Sequence, residues 1–91
     1  MAMFLHVFVL PKQEVTQERL EEVMNSAVDW YRYYKGFYVV YTTSSVDKWQ
    51  ERLRPLVDPQ GRLFICQLNA KNRQGWMDPN FLEWLSKRAE G

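Results

Sequence analysis

The chain has 91 residues, with twelve Lys and Arg against eleven Asp and Glu, one Cys and a rich aromatic share of four Trp, five Tyr and five Phe. A net charge of +1 gives no bulk electrostatic attraction toward nucleic acid, a membrane surface or an acidic substrate, so any such partner has to be met by a local patch. One cysteine excludes an intramolecular disulfide, the length suits a single domain over residues 1–91, and no apolar run has the length of a membrane span or the flanks of a signal peptide, which predicts a soluble cytoplasmic protein.

Met3 to Leu10 is apolar at nearly every position, as in a strand buried on both faces, and Pro11 stops it because proline cannot donate to a ladder. A helix follows with Thr16 as N-cap, Val15 and Leu20 as a hydrophobic staple, and Leu20, Val23, Met24 and Ala27 as its inward stripe. Glu18, Arg19, Glu21 and Glu22 then form a solvated face. The aromatic segment Asp29 to Tyr34 reads as an edge strand that turns at Lys35-Gly36 into a strand from Phe37 to Thr42. A second helix starts near Ser44 or Ser45, with Ser44 and Asp47 resembling a capping box and Pro55 closing the helix after Arg54. It carries Val46, Trp49, Leu53 and Leu56 or Val57 at helical spacing. Asp58-Pro59-Gln60-Gly61 is a turn signature, and Arg62 to Leu68 a fourth strand. A polar, basic loop from Asn69 to Met77 leads to Asp78 and Pro79 as N-cap and N1 of a last helix, with Phe81, Leu82, Trp84 and Leu85 on its apolar side and Lys87 and Arg88 at its C-terminal end.

The order β-α-β-β-α-β with right-handed crossovers predicts an α+β, ferredoxin-like antiparallel sheet in the order 4-1-3-2, with helices on one face and an added C-terminal helix. The central strands are apolar on both alternating sets, whereas two helices cover only one face. The other face calls for a cover, either the C-terminal helix or a second copy of the chain, and a homodimer through that face is the expectation.

The stretches Phe37-Tyr-Val-Val-Tyr-Thr-Thr-Ser-Ser45, Arg52-Leu-Arg-Pro-Leu-Val-Asp58, Arg62-Leu-Phe-Ile-Cys-Gln-Leu68 and Gly75-Trp-Met-Asp-Pro-Asn-Phe-Leu-Glu-Trp-Leu85 resemble the SinR-like proteins. These are small bacterial proteins related to the ferredoxin-like nuclease subunit of the CRISPR adaptation complex. The resemblance covers about two-thirds of the chain, from Trp30 onward, and implies a ferredoxin-like fold, sheet-face dimers and a mobile-element or defence context. In the nuclease relatives an Asp at the end of the first strand holds a divalent metal at the dimer interface. The corresponding stretch here is Val9-Leu10-Pro11-Lys12, without a carboxylate and with a cation-repelling lysine.

No catalytic residue, metal ligand or cofactor is assigned on this reading. His6, the only histidine, is expected to be a satisfied structural residue, and Cys66 a small buried hydrophobe. The Thr42, Thr43, Ser44 and Ser45 hydroxyls are expected to cap the second helix. The functional candidates are Arg32, Lys35, Lys71, Arg73 and Trp76, because cations contact phosphates and exposed aromatic faces stack on bases. The expected function is therefore a small homodimeric interaction module that binds nucleic acid or a protein partner without chemistry. The competing expectations are a metal-dependent endonuclease that recruits Glu14 or Asp29 through dimerisation, and a ligand-binding fold whose aromatic segment Trp30 to Tyr34 lines a pocket.

Overall fold

A computed structural model describes residues 1–90. In chain order it contains β1 (Met3–Leu10), α1 (Gln17–Met24), β2 (Asp29–Tyr34), β3 (Phe37–Thr42), α2 (Val46–Val57), β4 (Arg62–Leu68) and α3 (Pro79–Glu90). The four strands form one antiparallel sheet in the order β2-β3-β1-β4, which is β4-β1-β3-β2 counted from the opposite edge.

Side-chain alternation divides this sheet into two unlike faces. On the inner face, Leu5, Val7 and Val9 of β1 are wholly buried beside Tyr38 and Val40 of β3, and are covered by Leu20 and Met24 of α1 and Trp49 and Leu53 of α2. The Trp49 indole N–H donates to the Thr42 hydroxyl at 3.0 Å, so the one buried polar side chain of this core has its partner. The lone pairs of the same hydroxyl also receive the Ser44 backbone N–H. Burying this indole, the largest of the fully buried side chains, without an orphaned donor is what fixes α2 against the sheet.

Three local departures from the expectations have physical causes. The N-cap of α2 is Ser45, whose hydroxyl accepts from the Lys48 N–H, while Ser44 Oγ instead accepts from Arg52. Second, α2 runs through Pro55 to Val57 rather than ending at Arg54. Pro55 costs one backbone bond on an exposed side of the helix, and burial of Leu56 and Val57 against the inner core outweighs that loss. Third, α1 ends at Met24 with the Asn25 N–H on the Glu21 carbonyl, so Ala27 packs on the core from the following turn and not from the helix. The Lys35-Gly36 turn forms as expected. Gly36 has φ +83°, and a Cβ there would meet Leu10 Cδ2 at 2.9 Å, so the position selects glycine both by conformation and by space.

The outer face carries four ladder rows read directly from the strand register. Asp29, Tyr41, Phe4 and Leu68 form one row; Tyr31, Val39, His6 and Cys66 the next; then Tyr34, Phe37, Phe8 and Phe64; and Leu10 with Arg62 the last. A register shift between Arg32 and Tyr34 inserts Tyr33 between the second and third rows. Helix α3 lies over the first two rows, with Phe81 and Leu85 buried against Phe4 and Val39, and Tyr31, Tyr33, Leu68 and Trp84 packed around them. Half of that face is thus occupied by the chain's own third helix, the cover that stood as the alternative to a second copy. The reason is electrostatic as well as apolar: the Asp29 carboxylate accepts from the Trp84 indole N–H at 3.0 Å, from the Arg88 guanidinium and from the Trp30 backbone N–H, tying α3 to β2. Cys66 is half-buried in the second row, on the part of β4 that α3 does not fully shield, so it is not the enclosed small hydrophobe that its apolar neighbours in sequence suggest.

Candidate functional site

The row that α3 leaves uncovered contains an aromatic residue from every strand of the sheet. Tyr34 of β2 pairs with Phe37 of β3, Phe37 with Phe8 of β1, and Phe8 with Phe64 of β4. Ring centroids are 6.3 Å apart for Tyr34 and Phe37 and 5.0 Å for Phe8 and Phe37. Tyr34 and Phe64, at the two ends, are 71% and 61% exposed. At about 4.8 Å between strands, the row spans roughly 14 Å across the sheet. Apolar surface of this kind, left in water, marks a place where something docks.

Between this row and α3 lies a cleft of about 520 Å³. The sheet provides its floor through His6, Val39 and Leu68, α3 its wall through Phe81, Leu85 and Ser86, and the loop after β4 its lip through Arg73, Gln74 and Met77. His6 Nε2 and the Tyr33 hydroxyl are 2.6 Å apart on the floor. Burial holds the His6 imidazole below the usual histidine range and pushes the Tyr33 phenol above the usual tyrosine range, so both are neutral near pH 7. A depression shared by Tyr33, Tyr34, Trp76, Met77 and Asp78 joins the cleft to the aromatic row.

Charge is distributed unevenly between the layers. Segments 11–28 and 43–61, which hold α1, α2 and their connections, carry seven acids and five bases, whereas the sheet and the chain beyond it carry four acids and seven bases. Ion pairs tie Lys12, Arg19, Lys48, Arg54, Lys87 and Arg88 to carboxylates. Arg32, Lys35, Arg52, Arg62, Lys71 and Arg73 pair with no described carboxylate, and Arg52 of α2 donates instead to the Ser26 and Ser44 hydroxyls.

The five residues singled out in the sequence do not form one cluster. Arg73 lines the cleft, where its guanidinium donates to Ser86 Oγ at 2.9 Å and to the Ala70 carbonyl. Trp76 is fully exposed on the loop beside Tyr34, and Lys35 sits in the turn between Tyr34 and Phe37. Lys71 lies near the start of β1, beside Ala2 and Phe4. Arg32 pairs with Tyr38 and therefore projects on the inner, helix-bearing side of the edge strand. The grouping thus reduces to Lys35, Arg73 and Trp76, to which the structure adds Arg62, one row beyond Phe64 on the same face. Phe8, Phe37 and Phe64 were not singled out because each sits in a strand that reads as uniformly apolar. The signal that would have found them is the register itself, which composition does not carry.

The carboxylates considered for a metal site are far apart within the chain. Glu14 follows the Leu10 end of β1 and pairs with Lys12, whereas Asp29 lies in the row of Phe4 at the other end of the sheet, engaged by Trp84 and Arg88. Among the described residues, no group of three or more His, Cys, Asp or Glu is placed to hold a metal ion, and no helix is long and apolar enough to cross a membrane.

The architecture is that of a small α+β domain with one open four-stranded antiparallel sheet and three helices. No family model, curated protein or solved structure matches the chain.

Proposed function

We propose that this chain is a ferredoxin-like interaction module, related to the SinR-like proteins, that binds single-stranded nucleic acid on the uncovered half of its outer sheet face. The observation that carries the reading is the cross-strand row Tyr34, Phe37, Phe8 and Phe64, flanked on the same side of the molecule by Lys35, Arg62 and Arg73, which have no described acidic partner. Four-stranded sheets with aromatic residues on their exposed central strands stack unpaired bases, and neighbouring cations hold the phosphates between them. The strand order counted from β4, the connections and the helical layer support the ferredoxin-like assignment. The SinR-like kinship and a mobile-element or defence context rest on the sequence motifs alone.

The test is fluorescence anisotropy of labelled single-stranded RNA and DNA decamers at low and moderate salt. Wild type is expected to bind with an affinity that falls as salt rises. Phe64→Ala is expected to lose about 5- to 150-fold, the range for one stacked base. No binding by wild type, or equal binding by Phe64→Ala and Phe8→Ala, overturns the reading.

A second reading has its own observation. The exposed Phe64 and Leu10 also suit burial against a second copy, giving a homodimer through the half-face and not through the whole one. The same rings then serve either partner, so eluted mass measured with and without oligonucleotide separates the two. Metal-dependent cleavage draws no support from the positions of Glu14 and Asp29. Incubating the same protein and oligonucleotides with Mg²⁺, Mn²⁺ or EDTA tests it directly, and cleavage that EDTA abolishes would reinstate it.

A further inference from the structure

The cleft beside the aromatic row has features that the row does not need. It is 520 Å³, within the roughly 300–1,000 Å³ of small-ligand sites, and it combines apolar walls with a few converging polar atoms as such sites do. We infer that the cleft receives a single nucleoside monophosphate unit, free or as the terminal nucleotide of a strand lying on the sheet, with its base on the His6 floor and its phosphate on Arg73. This rests on the proposed nucleic-acid reading and adds a distinct site to it.

Three observations select that chemistry. Among the described residues Arg73 is the one charged side chain lining the cleft, and no described carboxylate lines it, so the complementary ligand carries a negative charge. Its guanidinium is already positioned by Ser86 and the Ala70 carbonyl. Those two bonds use two of its five N–H donors and leave three for an oxyanion, the donor set that suits phosphate.

The second observation is the His6–Tyr33 pair. Its 2.6 Å hydrogen bond occupies His6 Nε2 and leaves Nδ1 without a partner among the described residues. Whichever of the two groups donates, one tautomer-determined donor or acceptor of the neutral ring remains for the polar edge of a ligand. A base supplies both a polar edge and the flat apolar faces that fit between sheet and helix. An aliphatic anion supplies neither.

The third observation is continuity. Tyr33 belongs to the cleft floor and also to the depression that holds Tyr34 and Trp76, and the His6 and Tyr33 rings lie 6.0 Å and 5.8 Å from Phe37 in the row. A strand stacked on the row therefore reaches the cleft without crossing α3.

Isothermal titration with AMP and UMP, with uridine and inorganic phosphate as partial ligands, tests the inference on the full chain. Saturable binding of at least one monophosphate is expected, tighter than either partial ligand. Arg73→Ala is expected to weaken that binding roughly tenfold or more, while Lys48→Ala, which removes an equal charge from α2, leaves it unchanged. His6→Phe should weaken both the nucleotide and the nucleoside, since it acts on the base. Decamers with a 5′-phosphate, a 3′-phosphate or neither distinguish a strand end from a free nucleotide: preference for one phosphorylated end points to the strand, indifference to the free form. Absence of saturable monophosphate binding, or equal losses from Arg73→Ala and Lys48→Ala, overturns the cleft. Decamer binding that survives Arg73→Ala alongside such a result leaves the aromatic row standing. Monophosphate binding without decamer binding does the reverse.

Discussion

The two faces of the sheet are built from the same strands and do different work. On β1, the odd-numbered Leu5, Val7 and Val9 have no exposed surface and face aliphatic and helix-borne partners, while the even-numbered Phe4, His6, Phe8 and Leu10 pass from buried under α3 to partly exposed beyond it. The inner face is closed by two helices. The outer is closed by one helix over half its length and is aromatic where it is open. Closure secures stability at the expense of access, so the residues that hold the fold and those that can meet a partner are segregated onto alternate positions of one strand.

The sharpest way to break this comparison is to remove one large side chain from each face. Trp49→Ala takes out a wholly buried indole and leaves the Thr42 hydroxyl with the Ser44 N–H alone, and is expected to cost about 3–5 kcal/mol in denaturant unfolding. Phe64→Ala removes a ring that is 61% exposed and is expected to stay within about 0.5 kcal/mol of wild type. Comparable losses from the two would mean that the outer row is part of the core and not a surface held ready for a partner.

The covered half of the outer face is expected to be weaker than the inner one because much of its attachment passes through one carboxylate. Asp29→Ala withdraws the acceptor of Trp84, Arg88 and the Trp30 N–H together, and is expected to cost about 1–3 kcal/mol. Hydrogen exchange adds the spatial signature: faster exchange in α3 with α2 unchanged. Uniform acceleration across both helices would show that the two layers open as one unit.

How far the sequence exposes this division depends on which signal each element carries. The strands were legible because their β-branched and aromatic runs are bounded by Pro, Gly and Asp-Pro. The start of α3 was legible because Asp78-Pro79 states it, and the Asn80 N–H does donate to the Asp78 carboxylate at 2.9 Å. The end of α2 was not, because the local rule for Pro55 competes with the burial of Leu56 and Val57, a tertiary effect. The site was partly legible. Arg73 and Trp76 stand out in a polar loop, but Arg32 on the edge strand and Lys35 in the turn after it cannot be assigned to faces before the register shift at Arg32 and Tyr34 is known. The aromatic row and the His6–Tyr33 pair join residues from strands distant in sequence, and only the pairing register brings them together. What the sequence did carry was the imbalance itself, too many apolar residues for one covered face.

The finest distinction between the faces concerns protons, since the described groups with displaced acidity, the half-buried His6 and Tyr33, both belong to the outer one. His6 is held below its unfolded value of about 6.5 by burial. As pH falls through that value the unfolded chain takes up a proton that the folded chain refuses, so stability present above about pH 6.5 is lost toward lower pH until the folded imidazole also protonates. Tyr33 is displaced in the opposite direction. Its unfolded phenol ionises near pH 10 while the folded one stays neutral, so stability is lost again above about pH 10. The pair therefore favours folding most between these limits, where both partners are neutral. Carboxylates elsewhere also titrate at low pH, so the informative quantity is the difference between wild type and His6→Gln: wild type is expected to lose more stability between pH 8 and pH 5. Parallel stability curves would place His6 in water and remove the floor from the cleft, whereas divergence confined to this window, with a His6 ring resonance titrating below about 6.5, would show that the outer face excludes a proton while leaving its neighbouring rings open.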